Sequence, residues 1–208
     1  NEIKYNFNLK NNHDKLQLYG WVDKKISYKF NSEGYRCSEF SQSDSIMFFG
    51  CSFTLGVGVP LENTYPFITA ENLKLECKNY GVTGSSSNTA FRLAYTAIEK
   101  YKPKIAVVYL IFPARFELLC IDESLQYGVA NNYGKRLGFY KDWLMAKENS
   151  ILNQEKNILA INKLCDFTGT KFVDLSPHML PLTDKGRDLS HPGIKYHKTL
   201  SDKLLSLL

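Results

Sequence analysis

The sequence contains no run of about eighteen apolar residues, so it carries no segment with the pattern of a membrane-spanning helix. Like charges never accumulate in a block. The net charge is only +5 and the pI is near 8.8. That mild excess lacks the concentrated basic footprint of a nucleic-acid binder. The five cysteines, Cys37, Cys51, Cys77, Cys120 and Cys165, are widely spaced and form no Cys-x-x-Cys pair. This argues against a disulfide framework or a zinc site and for reduced thiols. Neither G-x-x-x-x-G-K-[ST] nor G-x-G-x-x-G occurs, so a flavodoxin-like phosphate loop at "FFGCSFTLGVG" (residues 48–58) ranks low. Ser52 is not framed by G-x-S-x-G, which argues against an α/β-hydrolase nucleophile elbow. There are no repeats and no low-complexity segment. No basic-then-apolar leader pattern opens the chain, which favours a cytoplasmic location over export.

What remains is 208 residues with 44% hydrophobic content, suited to one globular domain with a full core. Residues 1–43 are polar and mixed, with short β-like pieces in "LQLYGWV" and "KISYKF". They read as an N-terminal extension packing on a main domain at 44–208. From residue 45 the pattern alternates. "SIMFFG" is a continuous apolar run ended by Gly50, as expected of a strand buried on both faces. "YPFITAENLKL" suits a helix, "ECKNYGV" a short strand, and "NTAFRLAYTAIEKYKP" a helix with Phe91, Ala94, Tyr95 and Ile98 on one face. Ser86 or Ser87 caps its start and Pro103 lies past its end. "KIAVVYLIF" is the clearest buried strand. An amphipathic helix closed by Gly169, the strand "KFVDL" and a last helix in "IKYHKTLSDKLLSLL" complete the series. Alternating strands and helices predict an α/β fold with a central parallel sheet covered on both sides. An insertion at about 118–150 holds Tyr127, Tyr133, Phe139, Tyr140 and Trp143. It either lines a substrate groove or buries its own aromatics in a helical excursion.

In an open parallel sheet, ligands bind beyond the carboxyl ends of the strands. Ser52 follows one such end, Gly84 the next, Arg115 the third and Asp174 the fourth. "GRDLSHPG" then supplies Asp188 and His191. Three residues apart on a turn, these two side chains face the same way. Asp188 accepting the Nδ1 proton of His191 fixes the tautomer and leaves Nε2 free to take the Ser52 hydroxyl proton. A serine needs such a base. The Ser52 and Gly84 amides are the candidate oxyanion donors. Taken singly, each feature has a plain structural reading: a strand-to-helix turn, a helix cap, a chance Asp-x-x-His. Their order along successive strand ends is what favours chemistry. His13, His178 and His197 lack this context and read as structural or exposed.

These blocks resemble the SGNH/GDSL-type serine hydrolases. "GCSFTLGVGV" is similar to the family's first block, Gly84 in "NYGVTGSSS" to its second-block glycine, and Asp188 with His191 in "RDLSHPG" to its last block. "NSEGYR" (residues 31–36) resembles a segment seen upstream of the serine in some members. The likeness runs from about residue 31 to the C-terminus. It implies a three-layer α/β/α sandwich (flavodoxin-like in layout), a Ser-His-Asp triad, no cofactor and no metal. It implies ester hydrolysis; a small-molecule or glycan ester is the substrate expected here, the open groove typical of the fold and the aromatic insertion being compatible with a glycan, and the mild charge argues against a nucleic-acid partner. Cys51 stands where the family has Asp, a position that is not the nucleophile. The third block, Gly-x-Asn-Asp, is replaced by "IFPARFE". Losing one oxyanion donor costs about 10²–10³ in rate. Either Arg115 or Asn88 substitutes, or activity is weak or altered. Arg115 otherwise contacts an anionic substrate group or makes a structural salt bridge with Glu117 or another acid. The functions compatible with this pattern are ester hydrolysis, acyl transfer through the same triad, and a non-catalytic glycan-binding or structural module that keeps the fold.

Overall fold

The computed structural model describes residues 2–119, 125–129 and 146–208. Four strands, β1 (Ser45–Gly50), β2 (Glu76–Gly81), β3 (Ile105–Tyr109) and β6 (Lys171–Asp174), form a parallel sheet in the order β2-β1-β3-β6. Phe48 of β1 stands between Asn79 and Val107, and Val107 pairs with Val173. β4 (Arg115–Leu119) and β5 (Leu125–Val129) form a separate antiparallel pair.

The sheet is buried on both faces because its central strands are continuously apolar, from Ile46 to Phe49 in β1 and from Ile105 to Val108 in β3. Met47, Phe49, Ala106 and Val108 point to one side and pack on α5 (Ser87–Tyr101) and α6 (Lys147–Thr168). Ile46, Phe48, Val107 and Tyr109 point to the other and pack on α4 (Tyr65–Leu73) and α7 (Ile194–Leu205). The result is a three-layer α/β/α sandwich. Each fully buried Phe of β1 contributes about 1.5–3 kcal/mol relative to exposure. The helices start where side chains satisfy their free amides. The Thr64 hydroxyl accepts from Phe67 N at the head of α4, and Ser86 with Thr89 forms a reciprocal cap on α5. Gly169 closes α6 in the left-handed region.

Two local expectations are corrected. Residues 2–43 contain no strand. α1 (Glu2–Asn11) and α2 (His13–Leu18) are helical, so "LQLYGWV" begins in a helix, and "KISYKF" is extended backbone without a sheet partner. The buried face of α5 is Ala90, Leu93, Ala94, Ala97, Ile98 and Tyr101, whereas Tyr95 is 62% exposed. Of the aromatics in the 118–150 stretch, Tyr133, Phe139, Tyr140 and Trp143 lie outside the described residues, as does Cys120. The other four cysteines are free thiols.

Candidate active site

The strand order reverses at β1, where chain connections run to β2 on one side and β3 on the other. That switch point is where an open α/β sheet offers a crevice. Ser52 sits there. Cys51 leaves β1 in an extended conformation, and Ser52 opens the four-residue helix α3 (Ser52–Leu55), which ends at Gly56 with φ 77°. Ser52 is 3% exposed. As the first residue of a helix, its amide has no intrahelical acceptor, and no other described residue accepts from it.

The turn that follows is fastened from several directions. Arg36, fully buried, donates through Nη1 to Gly56 O at 2.5 Å and Leu55 O at 3.2 Å, and through Nη2 to Val59 O at 2.9 Å. Its guanidinium lies over the Tyr28 ring at 4.1 Å, and Tyr28 Oη accepts from Gly58 N at 2.8 Å. Asn79 of β2 donates to Thr54 O at 2.9 Å. The "NSEGYR" stretch is thus a brace for the serine turn. Asn31 shapes it, its Oδ1 accepting from Glu33 N and Tyr35 N.

Gly84 occupies the turn after β2, with φ 77°. Ser85 N donates to Val82 O at 3.1 Å, which places Gly84 where a type II turn requires the left-handed region. Gly50 O ties this turn to the serine. It accepts from Val82 N at 3.0 Å and from the Ser85 hydroxyl at 2.9 Å. Among the described residues the Gly84 amide also has no acceptor. Two amides without an acceptor among the described residues therefore lie on the turns after the adjacent strands β1 and β2.

Asp188 and His191 form a closed pair. Asp188 Oδ2 lies 2.5 Å from His191 Nδ1, while Oδ1 accepts from Ser190 N at 3.1 Å and His191 N at 3.0 Å. Burial alone raises the Asp188 pKa. The His191 side-chain and backbone hydrogen bonds outweigh it and pull the carboxyl down to about 2. Asp188 is therefore a carboxylate that only accepts. His191 Nδ1 must carry the proton, and Nε2 is left as a base. Leu189, between them, has φ 56°, a conformation costing a bulky residue about 1 kcal/mol.

The Asp188 loop rests on three other parts of the chain. Arg187 N donates to Gly58 O at 2.8 Å, joining it to the serine turn. From α1, Asn8 Nδ2 donates to Asp188 O at 3.0 Å, and Lys4 Nζ stands 3.6 Å from Asp188 Oδ2 and 2.6 Å from Ser190 Oγ. Trp21 Nε1 donates to Lys185 O at 2.7 Å. Phe53, the residue after Ser52, packs edge-on against the His191 ring with centroids 6.0 Å apart.

The remaining candidates separate. Arg115 reaches the Gly84 turn, with Nη1 3.4 Å from Ser85 O and its guanidinium 4.2 Å from the Phe112 ring centroid. It does not pair with Glu117, because Glu117 is held by Arg92 at 2.7 and 3.0 Å. The Asn88 side chain is turned to α6, where its Oδ1 accepts from Asn157 at 2.7 Å and Asn153 at 3.2 Å. His197 is fully buried, its Nδ1 accepting from Tyr65 N at 3.3 Å, and it is structural. Among the described residues no group of three or more His, Cys, Asp or Glu side chains is placed to hold a metal ion. The same residues include no helix long and apolar enough to cross a membrane. Of the sequence-predicted residues the structure brings Asp188 and His191 into contact and puts Ser52 and Gly84 on the turns after β1 and β2, while Lys4 and Asn8, which touch the Asp188 loop, have no local sequence signal. The role of Arg36 was visible only as part of "NSEGYR".

No protein-family model matches the chain, and no curated protein matches it. Solved structures similar to it include a G-D-S-L family protein from Desulfitobacterium hafniense DCB-2, at 11% identity and TM-score 0.44, covering 79% of this chain and 99% of that one. A family two carbohydrate esterase from Clostridium thermocellum, solved with cellohexaose, is 16% identical with TM-score 0.43, covering 79% of this chain and 63% of that one. A catalytic mutant of an acetylxylan esterase from Geobacillus stearothermophilus is 12% identical with TM-score 0.40, covering 78% and 93%.

Proposed function

We propose that the protein is a serine-dependent ester hydrolase in which Ser52 is the nucleophile, His191 the base and Asp188 the residue that orients it. Ser52 Oγ attacks the ester carbonyl carbon and its proton passes to His191 Nε2. The carbonyl oxygen becomes an oxyanion held by the Ser52 and Gly84 amides. Collapse breaks the bond to the alcohol, which leaves with the proton from His191. Water then repeats the cycle on the acyl-enzyme, releasing the acid and restoring Ser52. A small acyl group, such as O-acetyl on a carbohydrate or another small ester, is the substrate class we assign.

The observation that carries this reading is the bond between His191 Nδ1 and Asp188 Oδ2, on a loop joined through Gly58 to the serine turn. A structural histidine needs no carboxylate so fully engaged. Labelling with a fluorophosphonate probe tests it. Wild-type protein is expected to label at Ser52, and both Ser52→Ala and His191→Ala are expected to abolish labelling. No labelling of folded wild type, or labelling that survives Ser52→Ala, would reject the nucleophile. Absence of labelling is the behaviour of a module that merely keeps the fold, and surviving labelling points to a different nucleophile.

A further inference from the structure

The arginines among the described residues are spoken for, with one exception. Arg36 is consumed by the carbonyls of the serine turn, Arg92 forks Glu117, and Arg187 forks Glu2 at 2.6 and 3.1 Å. Arg115 has no acidic partner among the described residues. Its polar contact is Ser85 O at 3.4 Å, a long bond from one of five N–H donors. A guanidinium left in this state usually faces water without consequence. This one is different, because its place in the molecule is fixed.

Contacts lead from it around the rim of the site. The Arg115 guanidinium stacks on Phe112, which is 39% exposed. Phe112 meets Phe53 edge to face at 6.0 Å, and Phe53 meets His191 at the same distance. On the other side, Ser85 O joins Arg115 to the turn that presents the Gly84 amide. The arginine thus closes a ring that runs through both halves of the reacting centre. Among the described residues, stacking and one carbonyl hold the guanidinium plane and most of its fork has no partner, which reduces the entropy lost when an anion docks.

We infer that Arg115, held on Phe112, is a subsite for a negatively charged group on the substrate, so that the preferred esters carry a carboxylate. The inference rests on the Ser52 reading for the reaction itself, but the anion subsite is measurable without turnover. A planar carboxylate matches the guanidinium fork in a bidentate way. The charge sits either on the acyl side, as in a succinyl monoester, or on the alcohol side, as in an O-acetylated uronic acid.

The test compares matched esters: 4-nitrophenyl acetate with mono-4-nitrophenyl succinate, and an O-acetylated methyl glucoside with its glucuronic acid counterpart. Wild type is expected to prefer one charged ester over its neutral match by roughly tenfold or more in kcat/KM, as expected of a charge-assisted bond. The preference should shrink in high salt. Arg115→Gln should erase it through KM, Arg115→Lys should keep part, and Arg115→Glu should reverse it. In parallel, succinate and glucuronate are titrated into Ser52→Ala. One of them should bind, and the Ser52→Ala/Arg115→Gln double variant should lose that binding. No charged preference in wild type, a preference that survives Arg115→Gln, or no anion binding to Ser52→Ala would each overturn the subsite. Anion binding without fluorophosphonate labelling would reject the Ser52 reading and keep the subsite. Labelling without anion preference would do the reverse.

Discussion

Gly58 and Gly186 meet back to back. A Cβ on Gly58 would lie 3.2 Å from Gly186 Cα and 3.1 Å from Asp188 Oδ1. Gly58 also has φ 89°, where side chains are strained. This contact joins the serine turn to the acid-bearing loop. Gly58→Ala is expected to cost about 1–3 kcal/mol in chemical denaturation and to cut fluorophosphonate labelling sharply. Labelling at wild-type rate would mean that the two loops are aligned by something else.

Arg36→Met should destabilise the fold by about 2–5 kcal/mol, because the buried carbonyls of Leu55, Gly56 and Val59 would lose their donor. Burial depresses the Arg36 guanidinium pKa, so lysine at this position would face the same penalty with poorer geometry. Arg36→Lys should therefore recover little. A denaturant series on the two variants decides the matter, and near-wild-type stability in either would contradict the brace.

Acid sensitivity has a named source in His197. Burial, with the Arg36 and His191 charges adding, holds its imidazole down at about 3 from an ordinary 6.5. The folded state keeps it neutral while the unfolded chain protonates it. Its effect is thus a loss of stability as pH falls from about 6.5 towards 3, with a slope of up to about 1.4 kcal/mol per pH unit. His197→Gln should flatten the stability profile across that window. An unchanged slope would assign the sensitivity elsewhere.

Asp188 acts in a lower window. Its carboxyl is held at about 2 against an ordinary 3.8. Its stabilising effect is complete above 3.8 and lost as pH falls through about 2. Asp188→Asn should remove that part of the acid loss. The same variant should lower ester turnover by about 10⁴-fold, because an amide favours the wrong histidine tautomer. Glu76, held at about 2 where its Lys78, Ser41 and Ser43 hydrogen bonds outweigh burial, keeps a residual slope in the same range. Turnover of Asp188→Asn within tenfold of wild type would remove Asp188 from the triad.

The sheet was legible because β1 and β3 carry unbroken apolar runs, Ile46 to Phe49 and Ile105 to Val108, and such runs have few other places to go. Ser52, Gly84, Asp188 and His191 were legible because each follows a strand end or keeps a spacing with a use. The helices of residues 2–18 were not. α2 has six residues, and Leu16 is buried through packing with Tyr5, Trp21 and Val59 rather than by its own periodicity. "KISYKF" alternates like a strand, yet Tyr28 is there to meet Gly58 N and Arg36. The exposed Tyr95 shows the same limit, since small alanines claim the α5 face that its ring would overfill. Lys4 and Asn8 reach Asp188 across 180 or more positions of chain, a distance over which no local pattern carries information.

That long reach divides the supports of the two turns. The serine turn is braced by Arg36, Tyr28 and Asn79, all within about thirty residues of Ser52. The Asp188 loop is held locally by its own hydrogen bonds and by Gly58, and draws in addition on Asn8 and Lys4 of α1. Loss of α1 would therefore leave the serine turn braced while taking two contacts from the loop that carries Asp188 and His191.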